Sequence, residues 1–142
     1  MSQIDEPYLL KALENDNNDS IVKLTSQKIK TSKNDILQKL QLPKDKLKEL
    51  HKKLKEYRYV DEIKDINYGC FLRWINLNNY DNINLTTGAY LCEIQINDSG
   101  VGLICKNIFN KHFYVNMNEI ILFQKLTNQE QILLSVMNHL NK

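Results

Sequence analysis

The sequence predicts an α+β protein built on a small antiparallel β-barrel of five strands, with N-terminal helices and a C-terminal capping helix. Two observations support this prediction. Residues 68–125 contain five short runs rich in aromatic and β-branched side chains, and such runs favour strands. All the glycines of the chain also lie in or beside these runs, where a curled sheet needs bends and bulges: Gly69, Gly88, Gly100 and Gly102. The pattern is typical of an SH3-like or Tudor-like barrel.

Residues 1–60 are expected to form a helical N-terminal region that packs on the barrel. Residues 5–14 have one apolar side, which indicates a first helix. Ser32 and Asp35 have the spacing of a capping box, so a short helix is predicted to begin there. It should end before Pro43, which cannot continue a helix.

Pro43 then opens a longer helix that is predicted to run to about Tyr57. Its apolar side chains recur at intervals of three and four residues, as expected of a face turned toward a core. These side chains are Leu47, Leu50, Leu54 and Tyr57.

Residues 61–142 are expected to form the barrel and its C-terminal helix. The predicted strands are residues 68–77, 89–96, 101–106, 112–117 and 119–125. Turn residues between the second and third strands predict a hairpin, and the last two strands should form a second hairpin or a bend. Their short connections exclude crossover helices, so all pairing is expected to be antiparallel.

Alternation within the predicted strands assigns side chains to faces. In the first strand, Leu72 and Trp74 share one face and Arg73 lies on the other. In the second, alternation places Tyr90 with Cys92 and the two isoleucines that follow. After the strands, Thr127 and Glu130 form a capping box, and the apolar helix behind it is expected to close an open end of the barrel.

Three cysteines without a C-x-x-C pair favour a reducing compartment. No leader-like N-terminus or long apolar run is present in the sequence, so a cytoplasmic protein without a membrane partner is expected. Cys70, Cys92, Cys105 and His112 could form a zinc site, but their spacing favours metal-free core cysteines. No cofactor motif or catalytic constellation occurs. The sequence therefore predicts a non-enzymatic protein without a cofactor or an identified small-molecule substrate.

Basic residues are concentrated in one segment. Residues 20–58 carry twelve cations and four acids, for a net charge of +8, whereas the rest of the chain is net acidic. On the helix after Pro43, a stripe of cations lies opposite the leucines and could neutralise phosphates: Lys44, Lys48, Lys52 and Lys55, with Arg58 beyond. The alternative is a solvated face helped by pairing of Glu49 with Lys53.

Arg73, Trp74 and Tyr80 form a second candidate binding surface, because aromatic side chains near barrel loops stack bases or bind peptides. Trp74 is also a natural core residue. A binding module for nucleic acid, or for a protein that processes nucleic acid, is the leading hypothesis. A structural or assembly protein that associates with itself is the main alternative. A winged-helix DNA-binding protein is another, although five strands exceed a simple wing.

Several short motifs resemble small uncharacterised proteins of large eukaryotic DNA viruses. They are Lys33-Asn-Asp-Ile36, Gly69, Arg73-Trp-Ile75, Leu85-Thr-Thr-Gly88, Cys105-Lys-Asn107 and Phe123-Gln-Lys-Leu126. The resemblance covers most of the chain from about Ile29 onward. It implies residence in cytoplasmic virus factories or in the virion, and it supplies no activity.

Overall fold

The computed structural model describes residues 25–78 and 81–140. The helices within them are α1 Ser26–Gln38, α2 Lys44–Lys53 and α3 Asn128–Leu140. The strands are β1 Tyr57–Val60, β2 Phe71–Asn76, β3 Ala89–Asn97, β4 Gly100–Lys106, β5 His112–Asn116 and β6 Ile120–Lys125. The two 3-10 turns are Ile63–Asp65 and Met117–Glu119. The helix predicted at residues 5–14 lies outside the described residues. Contacts divide the chain into two compact units, residues 1–42 with 126–142 and residues 43–125.

In the first unit, α1 begins earlier than the sequence predicted. Thr25 caps it, and its hydroxyl accepts a hydrogen bond from the Lys28 amide at 3.1 Å. The predicted start at Ser32 is therefore wrong, since Ser32 and Asp35 both lie inside the helix. A capping box marks a helix start only when no earlier residue caps the same helix, and here Thr25 does so.

The second capping box is confirmed at the start of α3. The Glu130 amide donates to the Thr127 hydroxyl at 3.1 Å, and the Thr127 amide donates to the Glu130 carboxylate at 3.0 Å. This reciprocal pair satisfies two amides at the helix start. The Asn138 amide group donates to the Ser26 hydroxyl at 2.6 Å and joins α3 to α1 within this unit.

In the second unit, α2 begins after Pro43 as predicted but ends at Lys53, before the expected Tyr57. The helical spacing of leucines continues by chance into Tyr57, whereas residues 57–60 have the sequence Tyr-Arg-Tyr-Val, whose aromatic and β-branched residues favour a strand. They pair with β6 in the register Tyr57↔Lys125 to Val60↔Leu122. Pairing with β6 therefore makes residues 57–60 a strand, even though their spacing also fits a helix.

The six strands form one antiparallel sheet in the order β1-β6-β2-β3-β4-β5. The predicted antiparallel pairing is confirmed, but the closed five-stranded SH3-like or Tudor-like barrel is wrong. In the part of the chain that the structure describes, β1 pairs only with β6 and β5 only with β4, so the sheet is open. The predicted β3–β4 hairpin is present. No hairpin joins β5 to β6, because β6 instead enters the sheet between β1 and β2.

One face of the sheet forms the principal hydrophobic core. It includes Leu72 and Trp74 of β2, Leu103 of β4 and Leu122 of β6. The opposite face is also buried at the centre of the sheet, at Ile75 for example. By contrast, the opposite face of β3, β4 and β5 carries exposed side chains, so these strands present a surface to solvent. No described helix has the length and apolar character that a membrane span requires.

Replacing Ile75 by alanine is expected to lower the free energy of unfolding by about 2–5 kcal/mol, because its side chain is fully buried and its loss leaves a cavity. Ile96→Ala is the matched control, since that isoleucine is 74% exposed. Chemical denaturation followed by Trp74 fluorescence measures both variants. Equal losses of stability would contradict the two-sided burial of β2.

Candidate functional site

The exposed face of β3, β4 and β5 carries a group of aromatic and basic side chains. Lys106 of β4 lies in register between Tyr90 of β3 and His112 of β5. Two residues earlier on β4, Ile104 is opposite Tyr114. These five residues lie on the side of the sheet away from Leu103 and Cys105, which face the core. We call Tyr90, Ile104, Lys106, His112 and Tyr114 the outer face.

The Tyr90 side chain is 48% exposed, and its ring contacts a neighbouring aromatic ring. The Phe71 ring packs against it in an edge-on arrangement, with centroids 5.0 Å apart. Gly88 has a φ of +101°, and a Cβ there would lie 2.6 Å from the Phe71 ring. The absence of a side chain at Gly88 thus makes room for Phe71, and Phe71 orients Tyr90.

Tyr114 is 54% exposed, and its ring lies across β4. A Cβ at Gly102 would overlap this ring, so the glycine provides the space that the ring occupies. The Asn97 amide group donates to the Tyr114 hydroxyl at 3.5 Å. Two tyrosine rings with fixed neighbours are therefore available on one sheet face, and such rings are suited to stacking against planar ligands.

Arg73 lies on the same side of β2 as Phe71 and is tied to the loop before β3. Its Nε donates to the Thr86 carbonyl at 2.8 Å, and the Thr86 hydroxyl accepts from the Trp74 amide at 3.1 Å. Arg73 also hydrogen-bonds Tyr57. Burial raises the pKa of the Tyr57 hydroxyl, and the Arg73 charge opposes that rise. The structure therefore places one predicted site residue, Arg73, beside the outer face.

Two lysines of α2 that lie outside the predicted stripe, Lys46 and Lys53, are ion-paired. Glu49 accepts an ion pair from Lys53 at 2.9 Å and a longer one from Lys46 at 3.7 Å. The hydrogen bond and charge of Lys53, followed by the charge of Lys46, lower the pKa of the Glu49 carboxyl. Lys46 also donates to the Asn84 side chain at 2.9 Å.

The four lysines of the stripe itself are exposed. Among the described residues, no ion pair involves Lys44, Lys48 or Lys52. Lys55 is also exposed, just beyond the end of α2. These four are the predicted binding lysines, and the structure places all of them at the surface.

The remaining predicted site residues do not join them. Arg58 is only 3% exposed and donates from Nη2 to the Asp65 carbonyl at 2.8 Å. Trp74 belongs to the hydrophobic core. Tyr80 lies outside the described residues. We therefore leave Arg58, Trp74 and Tyr80 out of the candidate site.

Residues at the end of β2 and in the segment between β2 and β3 line an open cavity of about 440 Å³. One of them is Asn84, which accepts the hydrogen bond from Lys46. Four of the cavity's six lining residues carry side-chain amides, and the lining consists of Asn76, Asn78, Asn82, Asn84, Leu85 and Thr86. Amides supply both hydrogen-bond donors and acceptors. The cavity could therefore accommodate a polar group of a ligand that also contacts α2.

The cysteines differ in exposure. Cys92 is exposed and Cys105 is buried. Burial, with a smaller contribution from Cys92, raises the pKa of the Cys105 thiol to about 11. Within residues 25–78 and 81–140, no three His, Cys, Asp or Glu side chains are grouped so that they could hold a metal ion.

The outer face was not predicted, because a β-bulge interrupts β3. Its register with β4 shifts between Leu91 and Glu93, so strict alternation fails at Cys92. Leu91 faces the core, whereas Tyr90 and Glu93 face outward, which corrects the predicted grouping of Tyr90 with Cys92 and Ile94. A turn-rich sequence around a strand does not by itself locate such a bulge.

No protein-family model matches the chain, and comparisons with curated proteins and with solved structures find no match.

Gly88→Ala is expected to destabilise the protein more than Gly69→Ala. Both glycines have positive φ, so both substitutions strain the backbone. Only at Gly88 would the added methyl also collide with the Phe71 ring and the Leu72 carbonyl. Thermal denaturation compares the two variants, and the near-ultraviolet signal of the tyrosines should change only in Gly88→Ala. A larger effect at Gly69 would contradict the role assigned to Gly88.

At neutral pH, a maleimide should label Cys92 rapidly and Cys105 only after unfolding, because the reactive thiolate is disfavoured at Cys105. Mass spectrometry of timed samples identifies the labelled residue, and Cys92→Ser should remove the fast phase.

The raised pKa of the Cys105 thiol also predicts that stability falls as pH rises from about 9 toward 11, where the thiol of the unfolded chain ionises before that of the folded protein. Cys105→Ala should show a smaller fall, and an identical pH dependence would contradict the assignment.

Proposed function

We propose that the chain is a non-enzymatic module that binds single-stranded nucleic acid. The observation that carries this proposal is the outer face, where two exposed tyrosines lie among basic side chains on one surface of a sheet. Proteins that bind single strands without strong sequence preference combine aromatic stacking platforms with a positively charged path for the backbone. Tyr90 and Tyr114 supply the first feature, and Lys106 and His112 lie beside them.

Stacking suits these two rings because their positions are already fixed. Phe71 supports Tyr90, and Gly102 leaves space for Tyr114. A base that stacks on either ring therefore loses little free energy in ordering the side chain. Each stacked base contributes about 1–3 kcal/mol by alanine substitution in comparable proteins. Two such contacts would therefore dominate binding to an unpaired strand.

The outer face has little net charge, since Glu93, which lies opposite Ile104, offsets the charge of Lys106. Helix α2 supplies the additional cations at Lys44, Lys48 and Lys52. Lys33 adds little because it is buried on α1, and burial lowers the pKa of its ammonium group. Attraction of phosphate should therefore depend on α2, whereas selection of unpaired bases should depend on the tyrosines.

A self-associating assembly protein is the second candidate, favoured by exposed apolar side chains at Ile96, Ile108 and Phe109. Light scattering over a range of concentrations distinguishes it from the binding module. The winged-helix hypothesis gains no support, because the strands that follow α2 all belong to one six-stranded sheet and do not form a separate small wing.

Fluorescence anisotropy with a labelled oligonucleotide of about 15 residues tests the proposal, since single-strand sites span about 4–16 nucleotides. The joint replacement of Tyr90 and Tyr114 by alanine should weaken binding to the single strand at least tenfold. Tyr68→Ala is the matched control, because Tyr68 is exposed and lies outside the outer face. Duplex of the same sequence should bind more weakly and should be insensitive to the tyrosine substitutions.

The lysine contribution is measured separately through salt. Replacing Lys48, Lys52 and Lys55 by glutamate should reduce the slope of log affinity against log salt by roughly 0.7 for each lost phosphate contact. Replacing the exposed Lys28, Lys30 and Lys39 by glutamate is the control with the same change in net charge. If the wild-type protein shows no salt-dependent binding, or both triple variants lose affinity equally, the proposed interface is wrong and the assembly hypothesis takes its place.

A further inference from the structure

The turn between β4 and β5 exposes two bulky apolar side chains at its tip. Phe109 is 82% exposed, more than any other large apolar residue in the described chain. Ile108 is 74% exposed, which is comparable to Ile96 and Leu140. Adjacent aliphatic and aromatic residues at a protruding turn are unfavourable in water. They therefore indicate a surface that is covered in some functional state.

The turn holds these side chains outward through a fixed hydrogen-bond network. The Asn107 side-chain oxygen accepts from the Phe109 amide at 2.9 Å and from the Lys111 amide at 3.0 Å. The Asn107 amide donates to the Lys111 carbonyl at 3.0 Å, and the Asn110 amide donates to the Asn107 carbonyl at 3.0 Å. Asn110 has a φ of +62°, which asparagine tolerates. The apolar pair is thus presented in a preformed turn that need not reorganise to be buried.

Cations flank the apolar pair. Residues 106–112 contain Lys106, Lys111 and His112 and no acidic residue. The Lys111 ammonium group lies 5.6 Å from the centre of the Phe113 ring, just behind the tip. An apolar tip with cations immediately behind it complements a surface that is apolar inside and anionic at its edge.

We propose that the Ile108-Phe109 tip inserts into the surface of an anionic lipid membrane, with Lys106 and Lys111 at the level of the headgroups. A protruding pair of side chains can enter the acyl boundary of a bilayer directly, whereas a protein partner would need a matching pocket. Exposed lysines near the membrane surface add attraction to anionic lipids. The sequence predicts no membrane partner, because it contains neither a leader-like N-terminus nor a long apolar run. The proposed contact requires neither, since only two side chains of a turn enter the membrane surface.

The contact should be weak and reversible. Two apolar side chains and two lysines provide less attraction than stable anchoring requires, which usually combines two independent membrane signals. Loss of one lysine should weaken binding about fivefold, and loss of the Phe109 side chain, which the membrane would bury, about tenfold or more.

Vesicle co-sedimentation of the full chain tests the proposal, with phosphatidylcholine vesicles that contain or lack phosphatidylserine. The wild-type protein should bind only the anionic vesicles, and the joint replacement of Ile108 and Phe109 by serine should reduce binding at least tenfold. Ile96→Ser is the matched control, because it removes an equally exposed isoleucine from the β3–β4 hairpin. Lys111→Gln should give an intermediate loss.

A second measurement separates insertion from adsorption by charge. In the Phe109→Trp variant, emission from the introduced tryptophan should shift to shorter wavelength on anionic vesicles and be quenched by brominated acyl chains, while buried Trp74 gives a constant background. Binding that persists in the double serine variant, or an unshifted emission in Phe109→Trp, would overturn the proposal. Concentration-dependent dimers that the double serine variant abolishes, without vesicle binding, would show that the tip instead contacts a second copy. Oligonucleotide binding should be unchanged in the double serine variant, so either proposal can fail independently of the other.

Discussion

The register between β2 and β6 is the constraint on which the second unit depends. Trp74 lies opposite Leu122 and Ile75 opposite Ile121, so the two strands present buried side chains on both of their faces. A slip of one residue would exchange the two faces and move the polar Arg73 and Gln124 into opposite environments. β1 pairs with the other edge of β6, so β6 lies between two strands. The pairing of residues 57–60 with β6 accounts for the end of α2 at Lys53.

A single bulge then separates the interior of the sheet from its exposed surface. Before the bulge, ordinary alternation places Leu91 in the core and Tyr90 in solvent, and between Leu91 and Glu93 the β3 register shifts. The same shift allows Ile94 to return to the core side farther along the strand. Without the bulge, alternation would bring either Tyr90 or Ile94 to the wrong face. The irregularity is therefore what permits one strand to serve both the core and the outer face.

Local patterns predicted most of the elements, and long-range pairing decided what they could not predict. The strands after residue 68, the β3–β4 hairpin and the Thr127 capping box follow from alternation and turn chemistry, which act over a few residues. The open six-stranded sheet was not predicted, because the strand at Tyr57 is specified by its pairing partner 68 positions away at Lys125. Among the candidate site residues, helical spacing placed the α2 lysines correctly at the surface. Alternation could not reveal Tyr90, since the bulge has no clear signature in the sequence.

The net charge counted along the sequence is larger than the positive charge that the described side chains expose to solvent. This difference affects how a ligand would be selected. The segment 20–58 has a net charge of +8, yet Arg58 and Lys33 are buried, and Glu49 engages both Lys46 and Lys53. The lysines of this segment that are exposed include Lys44, Lys48 and Lys52 on α2, and Lys28, Lys30 and Lys39. In the proposed function, such lysines would attract polyanions of many kinds, and discrimination among them would have to come from geometry. Under that proposal, Tyr90 and Tyr114 of the outer face would provide it by stacking with bases that are free to unstack.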